Sequence, residues 1–488
     1  MELLLGPGVL MPSLGEGPRA FVRIGYGVLL LATLVRLLPD ARRFFLGERW
    51  GGYGERGWRV DLIQNPIVAP IVLSLWMASA ALLIVNVWTV PAAAFALACG
   101  HYFFVGMRWR SVARGMGAPG FITFWLGVAV FLLEYTARHA PALGGLALLV
   151  LQVDFALVMI AAGIYKFTAG YRQNQGMELG MVNPEWGYWP RFWQRVRPSH
   201  PLFRFFNEMA WATEVVAGVL MLVPATRFIG AALILLSFVF IRTQIRLGFL
   251  AEMVMTCGVL FFHPGSAGDQ LLQALAPPSA IGVDPGPVML NRGLELALWG
   301  YLLVLPLARL GLSYNLYWKR ALPGAAQSLL DGFANTVGLI LWRVFSADIC
   351  NFFIQIDQQQ RDGTGRTPIA RWGASRRFRQ VEEAITVTTL FTTLKYYPSN
   401  RSIFENRLIR YARTVPRDRD CLLVFEYVSV IKESEGFAFR PVAEFVVDPD
   451  TRSVTETTLD ASLSLRSGVA VSPIHEAVRP GSYVPLKS

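Results

Sequence analysis

The chain has 488 residues, 53% of them hydrophobic and only 16% charged, with a mean hydropathy of +0.41; that balance excludes a disordered chain and an ordinary water-soluble enzyme. The net charge of +11 does not mark a nucleic-acid binder, because the arginines gather in loops on one face of an apolar bundle. Four cysteines with no CxxC pair or Cys/His cluster, and only His101 well inside an apolar window, give no support to zinc, iron–sulfur or paired-histidine haem chemistry, so no metal is expected.

A membrane-crossing helix needs roughly 20 mostly apolar residues. About nine such windows follow in chain order, at 20–38, 67–89, 91–107, 121–137, 143–167, 205–224, 227–245, 249–263 and 294–312. Nothing ahead of them has the make-up of a cleavable signal, since Met1 to Pro18 lacks a basic start, an apolar core and a small-residue cleavage site. The loop 39–66 carries Arg42, Arg43, Arg49, Arg56 and Arg59, the loop 108–120 carries Arg108, Arg110 and Arg114, and the loop 168–204 adds five more. The alternate loops are nearly bare: 264–291 holds no lysine or arginine at all, 138–142 and 225–226 hold only Arg138, and Arg227 and Arg292 stand at span edges. By the positive-inside pattern the N-terminus lies outside and the last domain lies in the cytoplasm, with a basic face suited to anionic lipid headgroups.

The membrane domain, residues 1–312, ends where SYNLYWKRALPG brings in cations and helix breakers. Residues 313–379 form a connector, in which 327–357 is apolar on one side and carries Asp331, Arg343 and Asp348; an interfacial amphipathic helix is expected there, and a tenth span would move the last domain to the other side. From 380 to 488 the pattern is that of a small soluble α+β domain. Val, Thr, Phe and Tyr in 384–397 and 421–431 predict strands, 402–414 predicts a helix, and Asp-Pro-Asp-Thr within 442–459 predicts a hairpin turn.

Ionisable groups inside apolar spans cost at least about 2.5 kcal/mol, so they pair, line a wet cavity or do chemistry. The set here is His101, Glu134, Asp154, Lys166, Glu208, Glu214, Arg242 and Glu252. Arg242 and Arg246 share a helix face and would take Glu214 or Glu252 as counter-ions; Asp154 and Tyr165 stack three turns apart. Lys166 ends the helix AAGIYK, where its ammonium can snorkel to the headgroups or sit in a polar cavity beside Tyr165 as a base. The following loop, GMELGMVNPEWGYWPRFW, supplies Trp186, Tyr188, Trp189 and Trp193, either as an interfacial belt or as a lid over an apolar ligand.

The segments 21–54 and AAGIYK (161–166) resemble the membrane domain shared by vitamin K-dependent gamma-carboxylases and their bacterial relatives, the HTTM family. Ala162, Gly163 and Lys166 match the Ala-Gly-x-x-Lys pattern whose lysine, in the carboxylase, acts as base toward the vitamin K hydroquinone. The resemblance implies Lys166 as base, assisted by His101, acting on a quinone-like or lipidic molecule held in the bundle; Tyr165 as a proton partner, and Trp186 and Trp189 against that ligand, are expected from their placement beside Lys166 and in the loop after it.

The expected architecture is therefore an all-α polytopic membrane bundle of about nine helices followed by a soluble α+β domain, in the inner (cytoplasmic) membrane of a bacterium. The leading functional expectation is a scaffold or assembly subunit whose soluble domain docks a protein partner, with membrane lipids as the other partner and no nucleic acid. The alternative is a carboxylase-like membrane enzyme with Lys166 as base; a transporter is a third class, without an inverted repeat to support it.

Overall fold

The computed structural model describes residues 11–107, 117–173, 175–275, 286–318, 320–342, 347–370, 380–396, 401–418 and 420–463. The chain divides into two compact units, the first made of Met1–Phe167, Glu208–Leu307 and Trp342–Val344, the second of Thr168–Asn207, Ala308–Leu341 and Phe345–Ser488.

The first unit is built from α1 (Glu16–Leu37), α2 (Val68–Val85), α3 (Thr89–Gly100), α4 (Gly117–His139), α5 (Gly144–Thr168), α6 (Pro201–Leu222), α7 (Arg227–Gln244), α8 (Leu250–Gly258), α9 (Ala267–Leu275) and α10 (Val288–Trp318), the ends of α5, α6 and α10 passing into the second unit. α3 runs on into a π-helical stretch, His101–Gly106. Among the described residues eight helices are long and apolar enough to cross a membrane, and the apolar stretch Leu250–Phe261 is shorter. Each of the nine apolar windows thus falls on a helix.

Small residues let the helix backbones approach. A Cβ on Gly163 of α5 would stand 2.7 Å from the Trp211 carbonyl oxygen of α6, and one on Gly218 of α6 would stand 2.8 Å from the Ala156 carbonyl oxygen. Gly230 does the same between α7 and Ala217 of α6, at 2.5 Å.

The short helix α8 has a long neighbour. At one end of α1 the Arg36 guanidinium lies 4.7 Å from the Phe249 ring centroid. In the middle, Gly25 faces Thr256, and at the other end Gly15 and Gly17 abut Asp269 and Gln273 of α9. Residues 249 to 273 therefore run antiparallel along α1 for its whole length, which at 1.5 Å per residue is about 30 Å.

The second unit holds a five-stranded sheet of order β2-β1-β3-β4-β5, antiparallel throughout, formed by β1 (Phe352–Gln360), β2 (Thr367–Ala370), β3 (Cys421–Lys432), β4 (Phe437–Asp448) and β5 (Ser453–Thr458). Three helices accompany it: α11 (Gly324–Val337), α12 (Gln380–Tyr396) and α13 (Arg401–Ala412). Phe391 of α12 and Phe404 of α13 meet at 5.1 Å and both pack on Phe445 of β4, at 5.4 and 5.2 Å, so the two helices cover one face of the sheet. On the other face Glu426 and Glu444 stand directly opposite each other, a repulsive arrangement that Arg366 offsets by binding Glu444 at 2.6 Å and Asp357 at 2.7 Å.

The helix at 402–414, the strand at 421–431 and the hairpin at 442–459 all lie where the sequence places them. Two expectations need correction. Residues 384–396 do not form a strand: they lie in α12, a helix buried along nearly all of its described side chains, while 397 lies outside the described residues. Two of its buried threonines bond their own backbone, Thr386 to the Glu382 carbonyl at 2.7 Å and Thr392 to the Thr389 carbonyl at 2.8 Å, which satisfies those hydroxyls inside a helix. The stretch 327–357 is not one amphipathic helix either: α11 stops at Gly338, whose φ of 74° is left-handed, and Phe352 opens β1. The sheet consequently begins upstream of residue 380.

Candidate functional site

Lys166 is 2% exposed, and its Nζ donates to Glu214 Oε1 across 2.5 Å. The local cause is the glycine one turn earlier: with no side chain at Gly163, α6 comes close enough for Glu214 to meet a lysine from α5. Snorkelling to the headgroups does not describe this side chain. The second carboxylate oxygen, Glu214 Oε2, is buried and without a hydrogen-bond partner among the described residues. Chemically the pair can hold a proton and offer one free acceptor to a small polar molecule.

The other nominated residues take separate places. Tyr165, adjacent in sequence, is half-buried. The His101 ring, in the π-helical stretch, packs edge-on against Phe124 at 5.8 Å, and the Lys166 ammonium hydrogen-bonds to Glu214 and not to His101. Asp154 accepts from Trp125 Nε1 at 2.9 Å and from Tyr301 Oη at 3.0 Å. Arg242 pairs with Glu252, one of the two counter-ions expected for it; the other, Glu214, belongs to Lys166. Trp186 is buried inside the second unit, whereas Trp189 is 55% exposed there.

Within the second unit, the residues following α5 pack against the sheet domain. Asn183 is the pivot: its Nδ2 donates to the Cys350 and Phe352 carbonyls, both at 2.9 Å, and its Oδ1 accepts from the Glu185 amide at 2.8 Å. Glu178, fully buried, takes Asn207 Nδ2 at 2.7 Å and pairs with Lys432 at the end of β3. Trp193 packs against Phe203 at 5.7 Å with tilted rings, and Phe203 meets Phe437 of β4 at 5.9 Å. Neither Asn183 nor Glu178 stood out in the sequence; the Asn-Pro dipeptide was the available signal, as a turn marker.

Glu185 is a buried acid of the second unit. It is 2% exposed, accepts from Thr388 Oγ1 at 3.1 Å and leaves Oε2 without a partner among the described residues. Burial pushes its carboxyl well above the ordinary value of 4.5. A raised acid favours the fold fully below that ordinary value, and the contribution is lost as pH rises toward the folded one. Glu185→Gln keeps an acceptor for Thr388 and removes the titration. Thermal unfolding should therefore show the wild type losing more stability than the variant between about pH 5 and about pH 8; parallel pH profiles would contradict the assignment.

Compared with known proteins, the chain matches no family model, no curated protein and no solved structure.

Proposed function

We propose that the chain is a nine-crossing membrane protein with a structural role, a scaffold or assembly subunit whose second unit lies on the cytoplasmic side and docks a protein partner. The observation that carries this reading is the Lys166–Glu214 pair. A catalytic base must offer a lone pair, and an ammonium that closes a helix–helix contact is a donor. Asp154, Glu134 and Arg242 are held by neighbours in the same way, as expected of charges that keep a bundle in register.

The ninth crossing is supported by two observations. Residues 249 to 273 follow α1 end to end, so a short helix completed by non-helical residues covers the same depth; such backbone is tolerated where protein surrounds it, and Leu250, Val254, Cys257 and Leu260 are fully buried. Thr168–Asn207 and Ala308–Leu341 also belong to one compact unit, which requires an even number of crossings between them. α6, α7, α8 and α10 make four. With the arginine-rich loops inside, the setting that fits is a bacterial inner membrane.

One observation favours a second reading. Glu214 Oε2 is a buried acceptor with no partner among the described residues, as a site for a quinone-like or lipidic molecule would have, and the HTTM- and carboxylase-like resemblance would then assign Lys166 as base near Tyr165. Solvent extraction of the purified protein followed by mass spectrometry separates the two. The scaffold reading expects no stoichiometric quinone; a stoichiometric quinone that disappears in a folded Lys166→Ala protein would establish the enzyme reading instead.

A further inference from the structure

The end of the bundle at which α1 begins concentrates positive charge on one carboxylate. Glu134 of α4 is 2% exposed, and three guanidiniums converge on it: Arg23 Nε at 3.5 Å, Arg138 at 3.5 Å and Arg19 Nε at 3.9 Å. Arg23 is also buried and donates to the Leu83 carbonyl at 2.5 Å. Arg138 donates to Asn86 Oδ1 at 2.8 Å and Thr89 Oγ1 at 3.3 Å, in the turn between α2 and α3. These neighbours are neutral and cancel no charge.

Donor capacity is left over. Arg138 Nε is buried without a hydrogen-bond partner among the described residues. Arg19 reaches Glu134 only at 3.9 Å, beyond hydrogen-bond range. Among the described residues the other acid acting on Arg19 is Glu16, one turn before it and exposed. Among the described residues three guanidiniums thus face two carboxylates, and the buried Arg23 with the half-buried Arg19 and Arg138 against the buried Glu134 leaves positive charge in excess. An uncompensated charge in an apolar bundle is costly, and guanidiniums match the oxygens of an anion geometrically.

We propose that Arg19, Arg23 and Arg138 form an oxyanion site that holds a phosphate group, with Glu134 as its fixed counter-ion. Arg19 and Arg138 supply the free donors, while Arg23 sets the positive potential from below. The phosphate comes either from a lipid headgroup at this end of the bundle or from a free phosphate.

The test is thermal unfolding of the full-length protein in neutral detergent at constant ionic strength, with inorganic phosphate, with phosphatidylglycerol or with phosphatidylcholine added. Wild-type protein should gain about 3 °C or more with phosphatidylglycerol, with phosphate or with both, as ligand linkage requires. A gain with phosphatidylglycerol alone identifies a lipid headgroup, and a gain with inorganic phosphate identifies a free anion. Arg19→Gln, which removes no hydrogen bond, should fold like the wild type and lose the gain; Arg138→Gln provides a second check. No gain with either anion, an equal gain with phosphatidylcholine, or a gain that survives Arg19→Gln overturns the proposal.

Discussion

Lys166→Met and Glu214→Leu should each destabilise the protein severely, by about 3–5 kcal/mol, because each leaves the other charge buried and alone. The double variant should recover most of that loss. Its two apolar side chains fill a comparable volume, and replacing a whole buried pair is often neutral or favourable where breaking it is not. The geometry sharpens the expectation: the Lys166–Glu214 contact is 2.5 Å long and both side chains are almost fully buried, with exposures of 3% and 1%. At Gly163 the α5 and α6 backbones approach closely beside the pair, so an orphan charge would stay in a packed contact. Unfolding midpoints and the yield of monodisperse protein report the cycle. If both single variants fold like the wild type, the pair contributes nothing to the bundle and the structural role assigned to Lys166 fails. A catalytic lysine predicts a different pattern, with folding retained in Lys166→Met and no rescue by the second substitution.

The bundle was legible in the sequence because length and apolarity alone mark a helix that can span, and eight of the nine windows lie on helices of that length while the ninth lies on a shorter apolar helix. The weakest, 249–263, was also the least typical physically. Its helix is short, and what carries it along α1 is the extended backbone beyond Phe261 and the docking of Asp269 and Gln273 against Gly15 and Gly17, contacts between residues more than two hundred positions apart. The loop 108–120, whose arginines contribute to the predicted orientation, lies mostly outside the described residues, as do residues 276–285 of the arginine-free stretch 264–291.

The second unit was harder to read, for two reasons. Thr and Val favour strands when half exposed, but α12 is buried nearly throughout, and tertiary packing with back-bonded threonine hydroxyls overrides that preference. Strand β1, FFIQIDQQQ, follows directly on an apolar stretch and ends in three glutamines, so its alternation is masked at both ends. In the bundle, Lys166 was visible as a charge in an apolar helix. Its partner was not, since Glu214 lies 48 residues away on another helix and nothing local pairs them. Gly163 was visible only as part of a motif, and its physical work is to bring α6 close. Glu134 was visible as a buried acid, while its arginines come from α1 and α4 and no spacing rule connects them.

The topology that places both segments of the second unit on one side of the membrane is tested most directly by labelling single introduced cysteines in intact cells with a membrane-impermeant thiol reagent. All four native cysteines are buried, so they should stay unreactive and the introduced cysteines can be placed in the native background. Ser199 and Ser453 are exposed in the second unit, and Ala267 is exposed at the start of α9. Nine crossings with the arginine-rich loops inside predict that cysteines at Ser199 and Ser453 stay unlabelled until the membrane is broken, while one at Ala267 reacts from outside. Labelling Ser199 and Ser453 from opposite sides, or Ala267 from the same side as Ser199, would show that residues 249–273 do not cross, and the nine-crossing account would be wrong.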